Sequence, residues 1–574
     1  MKKLIVGLLV SLLVLSGFQT TTYADYVKAF ESGWEWSADS VMLDGNIVSL
    51  EGHHQVGDNE PSYYALRDVA EILNGTSSQF QVTWNKKQRK IEILIGQAYV
   101  SDRDSNKQYF QIMNEAKLIN SEFLVNGELI KLQGYDVKGN TFFQLPDLGK
   151  LVGFDYAYDK NNSIVFLSSK PPEGAIRVKS DFLAEFNGVE SEFQRWKHPV
   201  HSNLVANSDQ SISAINGNDD LASLTIETYE AGTYKLRESQ KIAYELPLYG
   251  GFYSGKQYNY VVFGQSNEEE NDGKEVIRIV RYDKQFKRVD SVSITGGASY
   301  TTIPFDAGSL RMAENDNQLV VHTSRQRYTT PDGLNHQSQL TIIVNTANMT
   351  VTNDLGRFQE NHVSHSFDQY VAFDGNDHVL VDHGDAYPRA LVLQKGNGMK
   401  YQEVNFFHIP GSIGANMTGV SIGGFEVTPN YYLLAWNSVD HSKVKNYTSY
   451  EMVGLEIDQR DVLLSVLPKN ALSNSSAQKV KLATYIGTGK LASIPNLVKL
   501  STDRWMVLWQ EYDLEKRKGD LKYVRVNEQG QPVEDIHTRS NYSLSEVQPL
   551  VLGDQVVWYS DEGNRTLYTL PVTE

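Results

Sequence analysis

The sequence predicts a mainly β protein in which two small α+β stalk modules precede a β-propeller of seven blades, with six blades as the alternative. Three observations carry this prediction. A unit of strands and one short helix occurs twice before residue 170, and a polar, proline-bearing segment follows it. Beyond that segment, strands separated by Asn, Asp or Gly turns recur to the end of the chain. A stack of β-sandwich domains is the second architecture that fits.

The first 24 residues have the pattern of a secretory signal peptide. Lys2 and Lys3 precede an apolar run over residues 4–15, which is too short for a membrane span but typical of a signal-peptide core. Small residues at positions 22 and 24 predict cleavage between Ala24 and Asp25. We therefore expect a secreted or cell-wall-associated protein that is not inserted in a membrane after cleavage.

Composition excludes several classes of partner. The formal charge is −17, and without Lys2 and Lys3 the chain has 51 basic against 70 acidic side chains. Nucleic acid and anionic lipid are therefore not expected ligands, because both require a basic surface. The chain has no cysteine, so its core must be held by burial alone. The 32 Tyr and 8 Trp fit strand packing first, and stacking on sugar rings or an interface second.

The repeated unit at the start of the mature chain has three parts. Short alternating stretches flank Asp44-Gly45 in the first copy and Asn126-Gly127 in the second, which predicts two tight hairpins. A strand entering a short amphipathic helix follows at residues 63–73 and 142–152. A second hairpin closes each unit, at residues 82–94 and 156–167. One α+β module is therefore predicted to occur twice.

These motifs carry a family resemblance. The aromatic-aromatic-x-Leu-Arg-Asp run at 63–68, Val-x-Trp at 82–84 and Ile-x-Ile at 91–93 resemble the copper amine oxidase N-terminal-like domain of bacterial surface proteins. The resemblance covers residues 40–168 and assigns residues 25–170 to a tandem of this domain. In the second copy Pro146 replaces the Arg of the signature, so Arg67 and Asp68 are read as a helix start.

The resemblance implies an accessory stalk and no amine oxidase activity. In the oxidases, copper and the quinone belong to a separate domain with an Asn-Tyr-Asp/Glu motif and a His-x-His pair. Here Asn541-Tyr542 is followed by Ser543, and no two histidines are spaced by one residue. We therefore expect no copper and no other cofactor.

Residues 171–175 are predicted to link the stalk modules to the propeller, which spans 176–574. Aromatic-rich return strands lie at residues 260–263, 319–322, 379–382, 432–436, 505–509 and 556–559. Their spacing averages about 59 residues, close to a four-stranded blade with loops. Third strands are predicted at 277–283, 340–345, 453–458 and 521–527, and a fourth at 289–294. Residues 176–240 supply one more blade, partly shared with the C-terminal strand to close the ring.

Reactive side chains are densest in the fourth of these stretches. The candidate ligand-binding residues are His362, His365, Asp368, Asp382, His383, Asp385, Tyr387 and Arg389. Gly384 and Pro388 predict that residues 382–389 form a sharply turned loop rather than a strand. At one rim of the propeller axis, such a loop presents its side chains to a common pocket.

Three chemical interpretations of this cluster remain open. His365, His383 and Asp385 are residue types that bind zinc or manganese, but their spacing matches no known motif, so no metal is assigned. Asp385 and His383 are candidates for general acid and base on a polysaccharide. Alternatively, Asp382, Asp385 and Arg389 form a buried network or a polar pocket that only binds.

The functional prediction is a bacterial binding protein. The propeller is expected to recognise an extracellular glycan or protein ligand without catalysis, because no catalytic motif is specified strongly. One alternative is a polysaccharide hydrolase or lyase that uses the Asp385 loop. The other is a structural role in envelope assembly.

Overall fold

A computed structural model describes residues 34–573 apart from 38, 45, 56–61, 102–115, 160–162, 181–195, 449–450, 456–458, 514–518 and 562–564. The predicted signal peptide lies outside the described residues. The described chain forms two compact units, which meet in sequence at Pro171 and Pro172. Both consist mainly of strands, as predicted.

The first unit contains two short helices, α1 at Leu66–Ile72 and α2 at Leu145–Val152. Its described strands are β1 Trp34–Trp36, β2 Ser40–Leu43, β3 Asn46–Val48, β4 Gly52–Gln55, β5 Tyr63–Ala65, β6 Phe80–Asn85, β7 Lys90–Ile95, β8 Lys117–Val125, β9 Glu128–Val137, β10 Asn140–Gln144, β11 Asp155–Asp159 and β12 Ile164–Ser168. Leu66, Val69 and Leu73 are buried on one face of α1, in agreement with the predicted periodicity. Asp68 lies in the first turn of α1, where the helix dipole favours a carboxylate.

The two copies of the repeat are interlocked. Strand β7, at the end of the first copy, pairs in parallel with β8 of the second copy. Strand β12, at the end of the second copy, pairs in parallel with β2 of the first. Between them β5 and β10 run antiparallel with Tyr64 opposite Phe143, which are equivalent positions in the two copies. Each copy therefore completes the other, rather than standing as a separate module.

The Asp-Gly and Asn-Gly turns hold this exchange in place. Asp44 and Asn126 both have left-handed backbone conformations, with φ of 49° and 48°. The Asp44 Oδ1 accepts the backbone N–H of Ser169 at 2.8 Å, and the Asn126 Oδ1 accepts that of Ile95 at 2.9 Å. Asp and Asn tolerate the left-handed region and carry an acceptor that reaches nearby backbone. In each copy a single residue, Asp44 or Asn126, thus forms the turn and also binds the end of the last strand of the other copy.

The second unit contains a four-residue helix, α3, at Gly296–Ser299 and a 3-10 turn at His441–Lys443. Its described strands are β13 Ile176–Arg177, β14 Ser202–Ala206, β15 Ile212–Asn218, β16 Ser223–Tyr229, β17 Leu236–Ala243, β18 Leu248–Ser254, β19 Asn259–Gly264, β20 Glu275–Tyr282, β21 Arg288–Thr295, β22 Thr301–Pro304, β23 Leu310–Asn315, β24 Gln318–Arg327, β25 Gln337–Asn345, β26 Thr350–Val351, β27 Ser364–Asp374, β28 Asp377–Tyr387, β29 Arg389–Gly396, β30 Tyr401–His408, β31 Val420–Val427, β32 Tyr431–Ser438, β33 Asn446–Tyr447, β34 Met452–Val453, β35 Asp461–Pro468, β36 Gln478–Ala483, β37 Lys490–Ala492, β38 Asn496–Lys499, β39 Trp505–Asp513, β40 Gly519–Val526, β41 His537–Arg539, β42 Leu550–Leu552, β43 Gln555–Ser560 and β44 Thr566–Pro571.

These strands form successive antiparallel runs of four. The runs are β14 to β17, β18 to β21, β23 to β26, β27 to β30, β31-β32-β35-β36, β38 to β41, and β42-β43-β44-β13. A bridge between Ser338 and Ser364 joins the third and fourth runs into one nine-stranded sheet, which also includes β22. Each predicted return strand is the second strand of its run.

The last run contains strands from both ends of the unit. Strand β13 pairs with the C-terminal β44, with Ile176 opposite Leu567. The first strands of successive runs lie side by side from β18 through β23, β27, β31 and β38 to β42, and β42 also lies beside β14. The predicted sharing of N- and C-terminal strand material in one sheet is therefore observed.

Pairs of glycines allow the first strands to approach one another. Gly-Gly-Phe occurs at residues 250–252 in β18 and at 423–425 in β31, and a bulge interrupts the pairing at both places. A Cβ on Gly250 would lie 2.6 Å from the Phe305 ring, and one on Gly423 would lie 1.9 Å from the Pro495 carbonyl oxygen. Larger side chains are excluded there because the Phe305 ring occupies the space beside Gly250 and neighbouring backbone occupies the space beside Gly423.

One strand prediction was wrong. The third strand of the run that contains β32 is β35, not residues 453–458. Residues 452 and 453 instead pair with 446 and 447 in a short hairpin, and 456–458 lie outside the described residues. Val453 is exposed, whereas β35 is buried along almost its whole length. The apolar pattern after residue 452 therefore does not mark a core strand.

The largest aromatic side chains pack inside the sheets. Trp436, Trp505, Trp509 and Trp558 are fully buried, and three of them donate their indole N–H to a Ser, a Tyr and a backbone carbonyl. This confirms strand packing as the main use of these tryptophans. No helix in the described part of the chain has the length and apolar character needed to cross a membrane.

Candidate functional site

The predicted loop at residues 382–389 is mostly a strand. Strand β28 continues to Tyr387, β29 begins at Arg389, and the chain reverses only around Pro388. Asp382, His383 and Asp385 are nevertheless buried, because their side chains bond to neighbouring strands and loops rather than to solvent. The polar residues and Gly384 therefore have the sequence pattern of a loop, although they lie in the interior of a sheet.

Asp385 and His365 form the centre of the candidate site. The Asp385 Oδ1 lies 3.0 Å from the His365 Nδ1, and the Asp385 side chain is completely buried. The Asp385 Oδ2 is also buried and has no hydrogen-bond partner. The His365 side chain is 28% exposed, so the pair is reached from solvent on the histidine side. The site therefore contains a buried acceptor whose hydrogen-bonding capacity is unfilled.

The backbone of β27 is distorted to bring His365 to this position. His365 has a φ of 54°, and the register of β27 against β28 shifts on both sides of Ser366. Left-handed backbone in a non-glycine residue costs free energy and is concentrated at functional sites. The distortion turns the imidazole toward the Asp385 carboxylate.

Arg389 organises the loop that borders the site. Its guanidinium donates to the backbone carbonyls of Asp385, Pro410, Ala415 and Met417 at 2.6–3.2 Å. The backbone N–H of Gly414 donates to the Asp385 carbonyl at 2.9 Å. Among the described residues Arg389 forms no ion pair with Asp382 or Asp385, so the three do not form one buried network, which was one of the interpretations left open. It fixes the loop at residues 409–419 against the end of β28.

Tyr387 and His383 have opposite environments although both lie on β28. The Tyr387 side chain is 65% exposed at the turn beside Asp385. The His383 Nε2 lies 2.9 Å from the Thr418 Oγ1, and its ring is buried. Burial, with Arg460, Arg389 and Lys197 adding positive charge nearby, lowers the pKa of His383 to about 3. His383 is therefore neutral at ordinary pH and enclosed, whereas Tyr387 is free to contact a ligand.

Asp382 belongs to a separate buried network on the opposite face of β28. The Asp382 Oδ2 lies 3.0 Å from the His322 Nε2, and its Oδ1 accepts the Ser366 hydroxyl at 2.6 Å. The His322 Nδ1 lies 2.9 Å from the Thr341 Oγ1. All four side chains are buried. This network ties β24, β25, β27 and β28 together and does not reach the surface.

Asp368 and His362 also lie apart from Asp385. The Ser309 hydroxyl donates to the Asp368 Oδ1 at 2.6 Å, and burial raises the pKa of Asp368. The His362 Nδ1 is buried without a partner, and the His362 ring meets the edge of Phe358 with 4.9 Å between ring centroids. Of the eight predicted residues, the structure thus brings together His365, Asp385, Tyr387 and Arg389.

Glu426, which lies on β31, the first strand of its run, gives a pH-dependent prediction. Burial raises the pKa of Glu426 in β31 to about 7, although Lys499 opposes the shift. The protonated form is favoured by folding, so its stabilising effect is complete below about pH 4.5 and is lost as the pH rises through 7. Relative to Glu426→Gln, the wild-type protein should lose about 1–3 kcal/mol of unfolding free energy over that range. Urea unfolding of both proteins at pH 5 and pH 8 measures this, and parallel pH profiles would contradict it.

The side chains that meet at the site supply hydrogen bonding and proton exchange. In the described residues, no three metal-ligating side chains converge. His365 is the imidazole that contacts both Asp385 and solvent, so it replaces His383 as the candidate proton carrier. Strand β28 carries an exposed aromatic ring, Tyr387, two residues from the buried acceptor of Asp385.

Sequence reasoning missed the arginines at the end of β24. Arg325 and Arg327 are both buried, and both lie near His362. The available signal was their spacing: two residues apart in one strand, they point to the same face of the sheet. Their burial was not predictable, because charged residues at a strand end are normally solvated.

Comparisons with known proteins identify no family. No family model matches the chain, and no curated protein matches it. Among solved structures, hydrazine synthase of Kuenenia stuttgartiensis matches with 11% identity and a TM-score of 0.35, over 68% of this chain and 98% of that one. A neuraminidase-like protein of A/little yellow-shouldered bat/Guatemala matches with 11% identity and a TM-score of 0.33, over 60% and 99%. An alpha-L-arabinofuranosidase of Fusarium graminearum in complex with an iminosugar inhibitor matches with 8% identity and a TM-score of 0.34, over 71% and 99%.

Proposed function

We propose that the protein is a secreted or cell-wall-associated binding protein that recognises an extracellular carbohydrate through its second unit. In this proposal the four-stranded runs close into a seven-bladed propeller, and the first unit is a stalk of the kind that the sequence resemblance implies. The pairing of β13 with β44 and the contact of β42 with β14 support closure. The ligand binds at the end of the second unit formed by Tyr387, Pro388, His365 and the loop 409–419, which we call the Tyr387 edge.

The single observation that carries the proposal is the unfilled acceptor of Asp385 two residues from the exposed aromatic ring of Tyr387 on the same strand. A buried carboxylate oxygen without a donor is unfavourable, and a ligand hydroxyl would relieve this cost. Sugars combine hydroxyl groups with an apolar ring face that stacks on aromatic side chains. The juxtaposition of the Asp385 Oδ2 and Tyr387 therefore suits a carbohydrate better than an apolar ligand.

The test is co-sedimentation of the purified mature protein with insoluble bacterial cell-wall polysaccharide. Tyr387→Ala should weaken binding about tenfold, because burying an aromatic ring stabilises a complex by about 1.5–3 kcal/mol. It should leave the melting temperature almost unchanged, since the ring is largely exposed. Trp84→Ala, which removes a 54% exposed ring in the first unit, is the matched control and should bind as the wild type does. Loss of binding in the control alone would transfer the function to the first unit.

A polysaccharide hydrolase or lyase is the second candidate, favoured by the His365–Asp385 contact. A carboxylate that orients a partly exposed imidazole is the arrangement of a general base. The same incubation distinguishes the two functions when released reducing ends are measured. Product that disappears in Asp385→Asn supports the enzyme, whereas sedimentation without product supports binding. Absence of both supports the structural role in envelope assembly.

A further inference from the structure

Three arginines gather next to the Tyr387 edge, and in the described part of the chain no carboxylate forms an ion pair with any of them. Arg325 and Arg327 end strand β24, and Arg357 follows β26. Both terminal nitrogens of the Arg325 guanidinium bind backbone, because they donate to the carbonyl of Ser299 and, at 2.9 Å, to that of Gly356, and only its Nε is buried without a partner. Arg325 therefore has a structural role.

Arg327 has no such partners. Its side chain lies in a residue that is 4% exposed, and the Nε and Nη1 atoms are buried without a hydrogen bond. Its observed contact is with the ring of Phe358, whose centroid lies 4.7 Å from the guanidinium carbon. Other buried arginines of the described chain do hydrogen-bond through the guanidinium, namely Arg281, Arg325, Arg389, Arg460, Arg525 and Arg565. A buried cation that lacks a partner is costly, so its retention calls for an explanation.

The charged groups around Arg327 include a second arginine, Arg357, as well as the Asp332 carboxylate. The Arg357 guanidinium carbon lies 5.1 Å from the Tyr300 ring centroid, and Arg357 forms no ion pair with any residue that the structure describes. The His362 Nδ1 is buried and unpartnered. Two carboxylates lie in the vicinity, and both are engaged by other groups: Asp332 by His336 at 2.7 Å, and Glu270 by Thr329. Asp332 and Glu270 therefore offset part of the positive charge from a distance, but neither forms an ion pair with Arg327 or Arg357 in the described part of the chain.

We propose that Arg327, assisted by Arg357 and His362, binds the carboxylate of an acidic sugar, so that the ligand of the Tyr387 edge is a uronate-containing polysaccharide. This inference rests on the proposed carbohydrate-binding function and names its chemical class. The planar guanidinium matches a carboxylate group, and hydrogen bonds between two charged groups are about twice as strong as neutral ones. An incoming carboxylate supplies the missing counter-charge.

The arginine site and the Asp385 site are neighbours. His362 and His365 belong to one short segment, and the rings of His365 and His336 are 6.3 Å apart. Phe358, which is 60% exposed, lies over Arg327. Tyr387 is a second exposed aromatic residue, close to Asp385 in the chain. Together the two neighbouring sites offer two aromatic rings, one acceptor and one cationic group, which suits a polysaccharide in which some sugar units carry a carboxylate.

The experiment compares oligogalacturonate with its methyl ester by isothermal titration of the mature protein. The acid should bind at least about tenfold more tightly than the ester, and Arg327→Gln should abolish this difference. Asp385→Asn should weaken acid and ester alike. Equal affinity for acid and ester, or an Arg327→Gln protein that still prefers the acid, would overturn the inference while leaving the proposed function intact. The proposed function fails instead if Asp385→Asn and Tyr387→Ala leave ester binding unchanged.

Thermal unfolding supplies a second readout that a structural arginine would not produce. In buffer free of carboxylates, Arg327→Gln should melt at the same temperature as the wild type or higher, because it removes an unpaired buried charge. Arg325→Gln is the matched control and should melt lower, since it removes bonds to buried carbonyls. Free galacturonate should raise the melting temperature of the wild type but not that of Arg327→Gln. A lower melting temperature for Arg327→Gln, with no response of the wild type to galacturonate, would overturn the proposal.

Discussion

Replacing Arg565 with Met should lower the free energy of unfolding by about 3–5 kcal/mol, the usual effect of removing one partner from a buried ion pair. Arg565 precedes β44 in the last run of strands. Its Nη1 contacts the Glu227 Oε2 at 2.5 Å and its Nε contacts the Asp561 Oδ1 at 2.8 Å, with all three side chains almost completely buried. Its Nη2 also donates to the Asn216 Oδ1 at 2.8 Å. The substitution leaves two carboxylates buried without a counter-charge.

This network joins the two ends of the second unit. Glu227 and Asn216 belong to β16 and β15 in the first run, whereas Asp561 follows β43 in the last. Urea unfolding measures the loss, and Arg237→Met is the control because its ion pair with Asp209 is exposed and should contribute at most about 1 kcal/mol. Adding Glu227→Gln and Asp561→Asn to Arg565→Met should restore part of the stability. An Arg565→Met protein as stable as the wild type would show that the ends are held by apolar packing alone.

Replacing Arg389 with Met should cost about 3 kcal/mol of stability and most of the carbohydrate affinity, since each lost bond from a charged donor to a buried acceptor costs about 1–3 kcal/mol. Four backbone carbonyls lose a bond from the guanidinium at once, and of these the Asp385 carbonyl keeps the Gly414 N–H. The loop 409–419 then loses its attachment to the end of β28. Binding should fall because the loop is displaced, although Arg389 is not proposed to contact the ligand itself.

Arg389→Lys separates geometry from charge. A lysine ammonium keeps the positive charge but lacks the planar fork that reaches several carbonyls together. If the fixed position of the loop 409–419 supports the site, Arg389→Lys should restore little of the stability and little of the binding that Arg389→Met loses. Full rescue by Lys would mean that the charge, and not the fixed loop, supports the site. Both properties are measured on the same samples by urea unfolding and by titration with oligosaccharide.

The strand repeat was accessible from sequence because it depends on local signals. Apolar stretches such as residues 319–322 and 505–509 alternate with turn residues, and the structure has strands at each of them. The exchange of hairpins in the first unit was not accessible, because the parallel pairing of β2 with β12 joins residues more than a hundred positions apart. Local patterns specify a hairpin but not the sheet that it joins.

The candidate site was also predictable only in part, because local sequence patterns mark reactive residues but do not show where the fold places them. The composition around residue 385 marked a reactive cluster, and His365, Asp385, Tyr387 and Arg389 do meet. Strand alternation, which sends Asp382 and Asp385 to opposite faces, was hidden by Gly384 and Pro388, which resemble a loop. Arg327 was missed because no sequence pattern reveals that a cation is buried without a partner.

Hydrogen–deuterium exchange of the full mature protein, with and without bound cell-wall polysaccharide, tests the central claim most directly. The claim is that the Tyr387 edge of the second unit is the ligand-binding surface. We expect slower exchange at the backbone amides of residues 385–389 and of the loop 409–419, and no change around Trp84 in the first unit. Protection confined to the first unit, or bound polysaccharide with unchanged exchange at the Tyr387 edge, would contradict it.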